Sequence, residues 1–188
     1  MIRGEGPMWQ AAKYIQKLDP AAKSVWEVLL TYPGFHALGW YRLSHWLYQH
    51  HAHLLAALVA SLGRFFTQVE IHPAATIGHH VFIDHGHGVV IGETAVVGDY
   101  VTILHGVTLG SSKAQPTPGP RHPQVASHVF LGAHAQVLGP VKLGEGAKVG
   151  AGMIVLHDVP AHRTVVGNPG RLVPVKAKLQ IVGDKQEA

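Results

Sequence analysis

The chain has 188 residues, 47% of them hydrophobic, with a formal charge of +4 and no cysteine. That is apolar material for one compact domain, or for a small cap on a solenoid, and it excludes a disulfide framework or thiolate chemistry. No run of about eighteen apolar residues is present to span a membrane, and the basic residues are dispersed rather than striped with aromatics, which argues against a nucleic-acid surface.

The start, Met1-Ile2-Arg3-Gly4-Glu5, has no apolar leader core, so a cytoplasmic protein is expected. Residues 1–18 read as a helix behind a loose end, with Trp9, Ala12, Ile15 and Gln16 at helical spacing. Asp19-Pro20 reads as an N-cap followed by proline at the first helical position, opening a helix over 21–31 that stops near Tyr32-Pro33-Gly34. A further helix is expected over 35–50, with Leu38, Tyr41, Leu43, Trp46 and Leu47 on a broad apolar face. Another is expected over 53–67. Its apolar face (Leu54, Leu55, Leu58, Val59, Leu62) predicts burial against other helices or another subunit. His50, His51 and His53 read as solvated surface.

From Ile71 the pattern changes to a repeat of six. Aliphatic anchors fall at Ile71, Ile77, Ile83, Ile91, Val97, Ile103 and Leu109, then at Val125, Leu131, Val137, Leu143, Val149 and Val155. Four residues after most anchors stands a small or β-branched residue, such as Ala75, Val101 or Ala147. Six fits neither a helix nor an alternating strand. It fits hexapeptides, three of which make one triangular coil of a parallel β-helix, with the anchors stacked inside. Residues 1–69 are then a helical domain, 70–175 the β-helix, and 176–188 a polar tail. The segment from Val165 to Arg171 reads as a last partial coil and its exit.

Two interruptions break the register. Two extra residues fall between Ile83 and Ile91, and about ten between Leu109 and Val125, an excursion loop over 111–124 with four prolines. Insertions in a solenoid often mark its binding face. Both carry polar chemistry. Asp84-His85-Gly86-His87-Gly88 puts a carboxylate and two imidazoles at a turn, where a neutral histidine can take a proton from a hydroxyl near pH 7. Arg121-His122 closes the loop, and a guanidinium suits a substrate carboxylate. The modest positive charge also suits a polyphosphate-bearing small molecule.

The strings Glu70-Ile71-His72-Pro73-Ala74-Ala75-Thr76-Ile77-Gly78, Asp84-His85, Gly92-Glu93-Thr94-Ala95-Val96, Val107-Thr108-Leu109-Gly110 and Arg121-His122-Pro123 resemble serine O-acetyltransferases. So do Asp19-Pro20-Ala21, Gly34-Phe35-His36-Ala37-Leu38 and Tyr41-Arg42-Leu43-Ser44-His45-Trp46-Leu47. The resemblance covers residues 15–175. It implies an all-β left-handed β-helix behind an N-terminal α-helical cap. It implies transfer of acetyl from acetyl-CoA to the hydroxyl of L-serine for cysteine biosynthesis, with no metal, and feedback inhibition by cysteine.

Carried over residue by residue, the resemblance makes His85 the general base, His122 the second active-site histidine, and Glu70 the carboxylate that supports the base. Asp19 and Asp84 match carboxylates on the serine amine, and Arg121 the group on its carboxylate. Gly110, Ser111, Ala133, Lys148 and Ala151 match the acetyl-CoA positions, with Arg171 on a phosphate. The resemblance implies a homotrimer with sites between adjacent subunits; longer members join two trimers, and the short cap here favours a single trimer. The family's tail ends in Ile and inserts into O-acetylserine sulfhydrylase, whereas this chain ends Lys185-Gln186-Glu187-Ala188, which argues against that partner. Two alternatives stay open: another hexapeptide acyltransferase acting on homoserine, a sugar or a xenobiotic, and a metal-dependent hydratase of the γ-carbonic anhydrase type, which needs three converging imidazoles.

Overall fold

In the computed structural model, residues 7–112 and 119–167 are described. Four helices, α1 (Pro7–Leu18), α2 (Val25–Thr31), α3 (Pro33–Gln49) and α4 (His53–Thr67), precede fourteen strands of two or three residues. The strands form three parallel sheets, the faces of a triangular prism. The first face holds Glu70–Ile71, Val90–Ile91, Thr108–Gly110, Gln136–Leu138 and Ile154–Val155. The second holds Thr76–Ile77, Val96–Val97, Gln124–Val125 and Lys142–Leu143. The third holds Phe82–Ile83, Thr102–Ile103, Phe130–Leu131, Lys148–Val149 and Thr164–Val165. Corner one joins the first face to the second, corner two the second to the third, and corner three returns to the first.

The register explains both interruptions. Val90 pairs with Thr108, eighteen residues on, the length of a coil of three hexapeptides. Glu70 pairs with Val90, twenty residues on, so two residues bulge out at corner three. Thr102 pairs with Phe130, twenty-eight residues on, so ten leave the coil at corner one. Every anchor but Ile77 is buried, as are Ala75, Val81, Ala95, Val101, Val107, Val129, Ala135, Val141 and Ala147. Ile77 packs against the same core from a half-buried position. Each buried aliphatic side chain contributes about 1.5–3 kcal/mol, so the stacked anchors hold the prism together.

Histidine is common partly because the corners need a left-handed backbone. His80, His85, His128, His134 and His162 all have positive φ, as does Tyr100. Histidine is among the residues that tolerate this region. At corner two the rings stack as well: His80 on Tyr100 at 4.9 Å and Tyr100 on His128 at 5.0 Å.

The open end of a solenoid must be covered, because its first coil has unpaired backbone groups. Helix α3 covers it here. The Tyr41 hydroxyl donates to the Ala75 carbonyl at 2.7 Å and accepts from the Ile77 N–H at 3.2 Å. Ala37, Leu38 and Tyr41 join the prism core. Two expectations need correction. Asp19 does not cap a helix: it caps a turn, accepting the Ala21 N–H on its own carboxylate at 2.8 Å, while Ser24 caps α2 through the Glu27 N–H at 3.1 Å. The helix expected to begin at Phe35 begins two residues earlier, with Pro33 in its first turn, directly after α2 ends at Thr31 as expected. Leu43 and Trp46 on α3, and Leu54, Leu55, Leu58 and Leu62 on α4, stand largely exposed on the single chain.

Candidate active site

Corner three carries the first polar group. Asp84 leaves the third face with its N–H on the Ile103 carbonyl at 2.8 Å. The bulge then turns tightly, Gly86 N–H to Asp84 O at 2.7 Å and His87 N–H to His85 O at 2.9 Å. His85 takes a left-handed backbone (φ 58) that projects its ring outward. The side chain is 78% exposed, with Nε2 3.8 Å from Asp84 Oδ1. An imidazole so placed is open to a proton donor in solution or on a substrate. His105, one coil on, lies 6.2 Å from the His85 ring and 4.9 Å from that of His134.

The helical cap brings two more groups to this corner. Tyr32 donates its hydroxyl proton to Asp19 Oδ2 at 2.6 Å. Its pKa is raised, first by burial, then by the bond to Asp19 and by the charges of Asp19, Glu27 and Asp84. Asp19 and Asp84, 65 residues apart in sequence, thus both act on one hydroxyl. Gly34 makes this approach feasible. A Cβ there would collide with the Ile83 carbonyl oxygen, so only glycine lets α3 start against the strand that leads to Asp84.

Corner one carries the second group. Arg121 forms an ion pair with Glu93 at 2.7 Å. Thr94 Oγ1 accepts the N–H groups of Arg121 at 2.9 Å and His122 at 3.1 Å, and lies 2.9 Å from His122 Nδ1. The Thr94 N–H reaches the same Nδ1 at 3.1 Å. His122 is buried, and its ring edge covers Gly92 so closely that a Cβ there would overlap Cδ2 and Nε2. Burial lowers the His122 pKa, the Arg121 cation lowers it further, and Glu93 opposes them. His72 beside it is lowered by burial too, against the charge of Glu93. Both imidazoles are therefore neutral at pH 7.

The remaining expected positions lie apart within the chain. Glu70 is on the outer side of the first face, its carboxylate 3.1 Å from the Arg64 guanidinium rather than committed to His85. A groove between α4 and that face runs from Arg64 and Glu70 past His72 to Glu93. Gly110 ends a first-face strand and Ser111 follows it into corner one, where the Gly110 carbonyl accepts the Gly139 N–H. Ala133 and Ala151 occupy corner three in successive coils, and Lys148 is exposed on the third face. Arg171 lies outside the described residues. His85 and His122 are not brought together in one chain. Tyr32, Glu93, Thr94, His72 and His105 take part without having been assigned a role from sequence. The coil arithmetic could have found two of them, since Arg121 and His122 each stand twenty-eight residues beyond Glu93 and Thr94.

Among the described residues, no group of three His, Cys, Asp or Glu side chains is arranged to hold a metal ion, and no helix is long and apolar enough to cross a membrane.

No protein-family model matches the chain. Known proteins match it strongly. It is 53% identical over 161 residues to the serine acetyltransferase of Synechococcus elongatus, covering 86% of this chain and 65% of that protein. It is 51% identical over 160 residues to the serine acetyltransferase of Bacillus subtilis, covering 85% and 73%. It superposes with a TM-score of 0.82 at 41% identity on a serine acetyltransferase from Brucella abortus solved in complex with coenzyme A, covering 88% of this chain and 65% of that one. The chain thus spans just under two thirds of the length of the cyanobacterial relative and of the Brucella structure. The prism is the left-handed hexapeptide β-helix of these proteins, and the chain belongs to the serine acetyltransferase family.

Proposed function

We propose that the chain transfers acetyl from acetyl-CoA to the hydroxyl of L-serine, giving O-acetylserine for cysteine biosynthesis. The observation that carries this reading is the sorting of charge between two corners. Asp19 and Asp84 gather around Tyr32 beside an open imidazole, His85. Arg121 and a neutral His122 sit together at the other corner. An amino acid presents an ammonium, a carboxylate and, in serine, a hydroxyl. Those are the groups that two acids, a guanidinium and a base complement. The family relation and the coenzyme A complex of the Brucella relative support acetyl-CoA as the donor.

In this mechanism His85 takes the hydroxyl proton as the serine oxygen attacks the thioester carbonyl. The tetrahedral oxyanion is met by a backbone N–H near the loop. Collapse releases coenzyme A as the thiol, with the proton returned from His85. No enzyme nucleophile is involved, and the chain has no cysteine to supply one. Glu70 supports the His85 imidazolium; its side chain then exchanges the exposed pairing with Arg64, a contact of about 0–1 kcal/mol, for one with the base. Gly110, Ser111, Ala133, Lys148 and Ala151 line acetyl-CoA where two chains meet, with Arg171 on a phosphate. Their separation over corner one, the third face and corner three of a single chain favours a site shared between neighbours in a homotrimer. Free cysteine carries the same ammonium and carboxylate as serine and competes for the same groups. We place the enzyme in the cytoplasm.

The test is thiol release from acetyl-CoA by the purified chain, with L-serine, L-homoserine and a sugar acceptor in parallel. Serine-dependent release is expected. Release with another acceptor and none with serine would move the substrate and defeat the reading.

A further inference from the structure

We infer that Thr94 is a positioning residue that fixes the tautomer of His122, holding its one proton on Nε2 so that this histidine serves as a hydrogen-bond donor and not as a second base. The inference rests on the site proposed above. Thr94 Oγ1 accepts two backbone N–H groups, from Arg121 at 2.9 Å and His122 at 3.1 Å. A hydroxyl has two lone pairs and one hydrogen. With both lone pairs engaged, its hydrogen is left for His122 Nδ1, 2.9 Å away. The Thr94 N–H donates to that same Nδ1 at 3.1 Å. A nitrogen that accepts twice carries no proton, so the neutral ring must be protonated at Nε2.

The surroundings keep the ring neutral. The charged and titratable groups that face it are Arg121 from the loop end, Glu93 from the corner-one turn and His72 from the turn one coil earlier. Burial and Arg121 oppose a second proton, and Glu93 only partly offsets them. A neutral Nε2–H beside a guanidinium is a donor for an anionic oxygen, and we assign it the carboxylate of the amino-acid acceptor. The two histidines then divide the work: His85 receives a proton, and His122 never releases its own.

The experiment uses the full chain labelled with 15N-histidine, with long-range 1H–15N correlation and His122 identified by its loss in His122→Asn. In the wild type at pH 8, His122 is expected to show a bare Nδ1 and a protonated Nε2. Thr94→Ser, which keeps the oxygen, is expected to keep that pattern. Thr94→Val is expected to mix the tautomers, to raise the His122 titration midpoint because the neutral form loses a donor, and to raise KM for serine about tenfold with little change in kcat, as for a contact made equally in ground and transition states. A wild-type His122 protonated at Nδ1 overturns the inference. So does a Thr94→Val protein with unchanged tautomer and midpoint. If Thr94→Val does not fold, the wild-type and Thr94→Ser spectra still decide. The spectra need no substrate, so a chain without serine-dependent transfer but with the expected tautomer defeats the activity and leaves the Thr94 assignment standing.

Discussion

His85 and His122 flank one strand of the prism from opposite ends. His85 lies in the turn that leads into Val90–Ile91, and His122 is bonded to Thr94 in the turn that leaves it. The width of the first face separates them. Under the proposed function, a single chain offers the base at one corner and the carboxylate-binding pair at another, and one serine would reach both only with a neighbouring chain supplying the second set.

This yields a complementation test. His85→Ala is expected to lower kcat by about 10²–10⁴-fold, with the oligomer intact. His122→Asn is expected to be impaired separately. In the proposed trimer, co-refolding the two in equal amounts would give mixed assemblies in which some sites combine an intact His85 from one chain with an intact His122 from the next. Random mixing is expected to restore roughly a quarter of wild-type activity in a cyclic trimer with shared sites. No recovery on mixing, with the trimer confirmed by light scattering, would place each site within one chain.

Tyr32 ties the helical cap to the corner that carries Asp84 and His85. Tyr32→Phe removes the donor to Asp19 and leaves that half-buried carboxylate short of one partner. A hydrogen bond to a charged group is worth about 1.5–3 kcal/mol, and water at this half-exposed site offsets part of it. The expected stability loss is about 1 kcal/mol, read from urea midpoints. KM for serine is expected to rise because Asp19 is no longer aimed. Unchanged KM would remove Asp19 from the ammonium site.

Much of this was legible in the sequence because a six-residue period leaves little freedom. Once Ile83, Ile103 and Leu131 are in phase, their burial and their shared face follow. The two insertions also pointed to both polar corners. The misreading of Asp19-Pro20 has a physical cause. Asp19 satisfies a local turn and also Tyr32, thirteen residues away, and only packing reveals the second partner. The contact of Thr94 with His122 was hidden for a similar reason, because it exists only when a ten-residue excursion is counted into the coil. The apolar faces of α3 and α4 were visible as patterns. Pattern alone does not say what covers Leu43, Trp46 or Leu58, and among the described residues of one chain nothing fully does.

The buried His122 and the half-buried His72 contribute to the acid limb of stability. His72 and His122 have pKa values lowered in the fold, chiefly by burial. An unfolded chain returns them to about 6.5 and then binds more protons than the folded one. Their contribution is therefore fully present above about pH 6.5 and is lost as pH falls through the lowered folded values. Tyr32 acts at the other end. Its pKa is raised above the ordinary 10, so its contribution is present below pH 10 and is lost as pH rises beyond it. Stability is expected to plateau between these limits. His122→Gln is expected to flatten the slope between about pH 7 and 5 in urea-unfolding series. An unchanged slope would mean that His122 titrates normally in the fold.

Gly34 and Gly39 lie on the same helix and are expected to respond oppositely to alanine. Replacing glycine inside a helix with alanine gains about 1 kcal/mol from backbone propensity. At Gly39 the added Cβ would meet only the Met8 Cε, at 3.8 Å, so the gain should appear nearly whole. At Gly34 the Cβ would overlap the Ile83 carbonyl oxygen and crowd its Cβ at 2.8 Å. Overpacking costs about 1–3 kcal/mol, and a strand carbonyl within the sheet cannot swing aside as a side-chain tip can. The cost should outweigh the propensity gain, leaving Gly34→Ala less stable and Gly39→Ala more stable than the wild type in urea. Relief of the clash separates α3 from Ile83 and so moves Asp84 and His85 relative to Tyr32 and Asp19. KM for serine should therefore rise in Gly34→Ala and hold in Gly39→Ala. Equal stabilisation of both variants would show that the first coil yields easily, and that the cap does not fix the spacing of the two carboxylates.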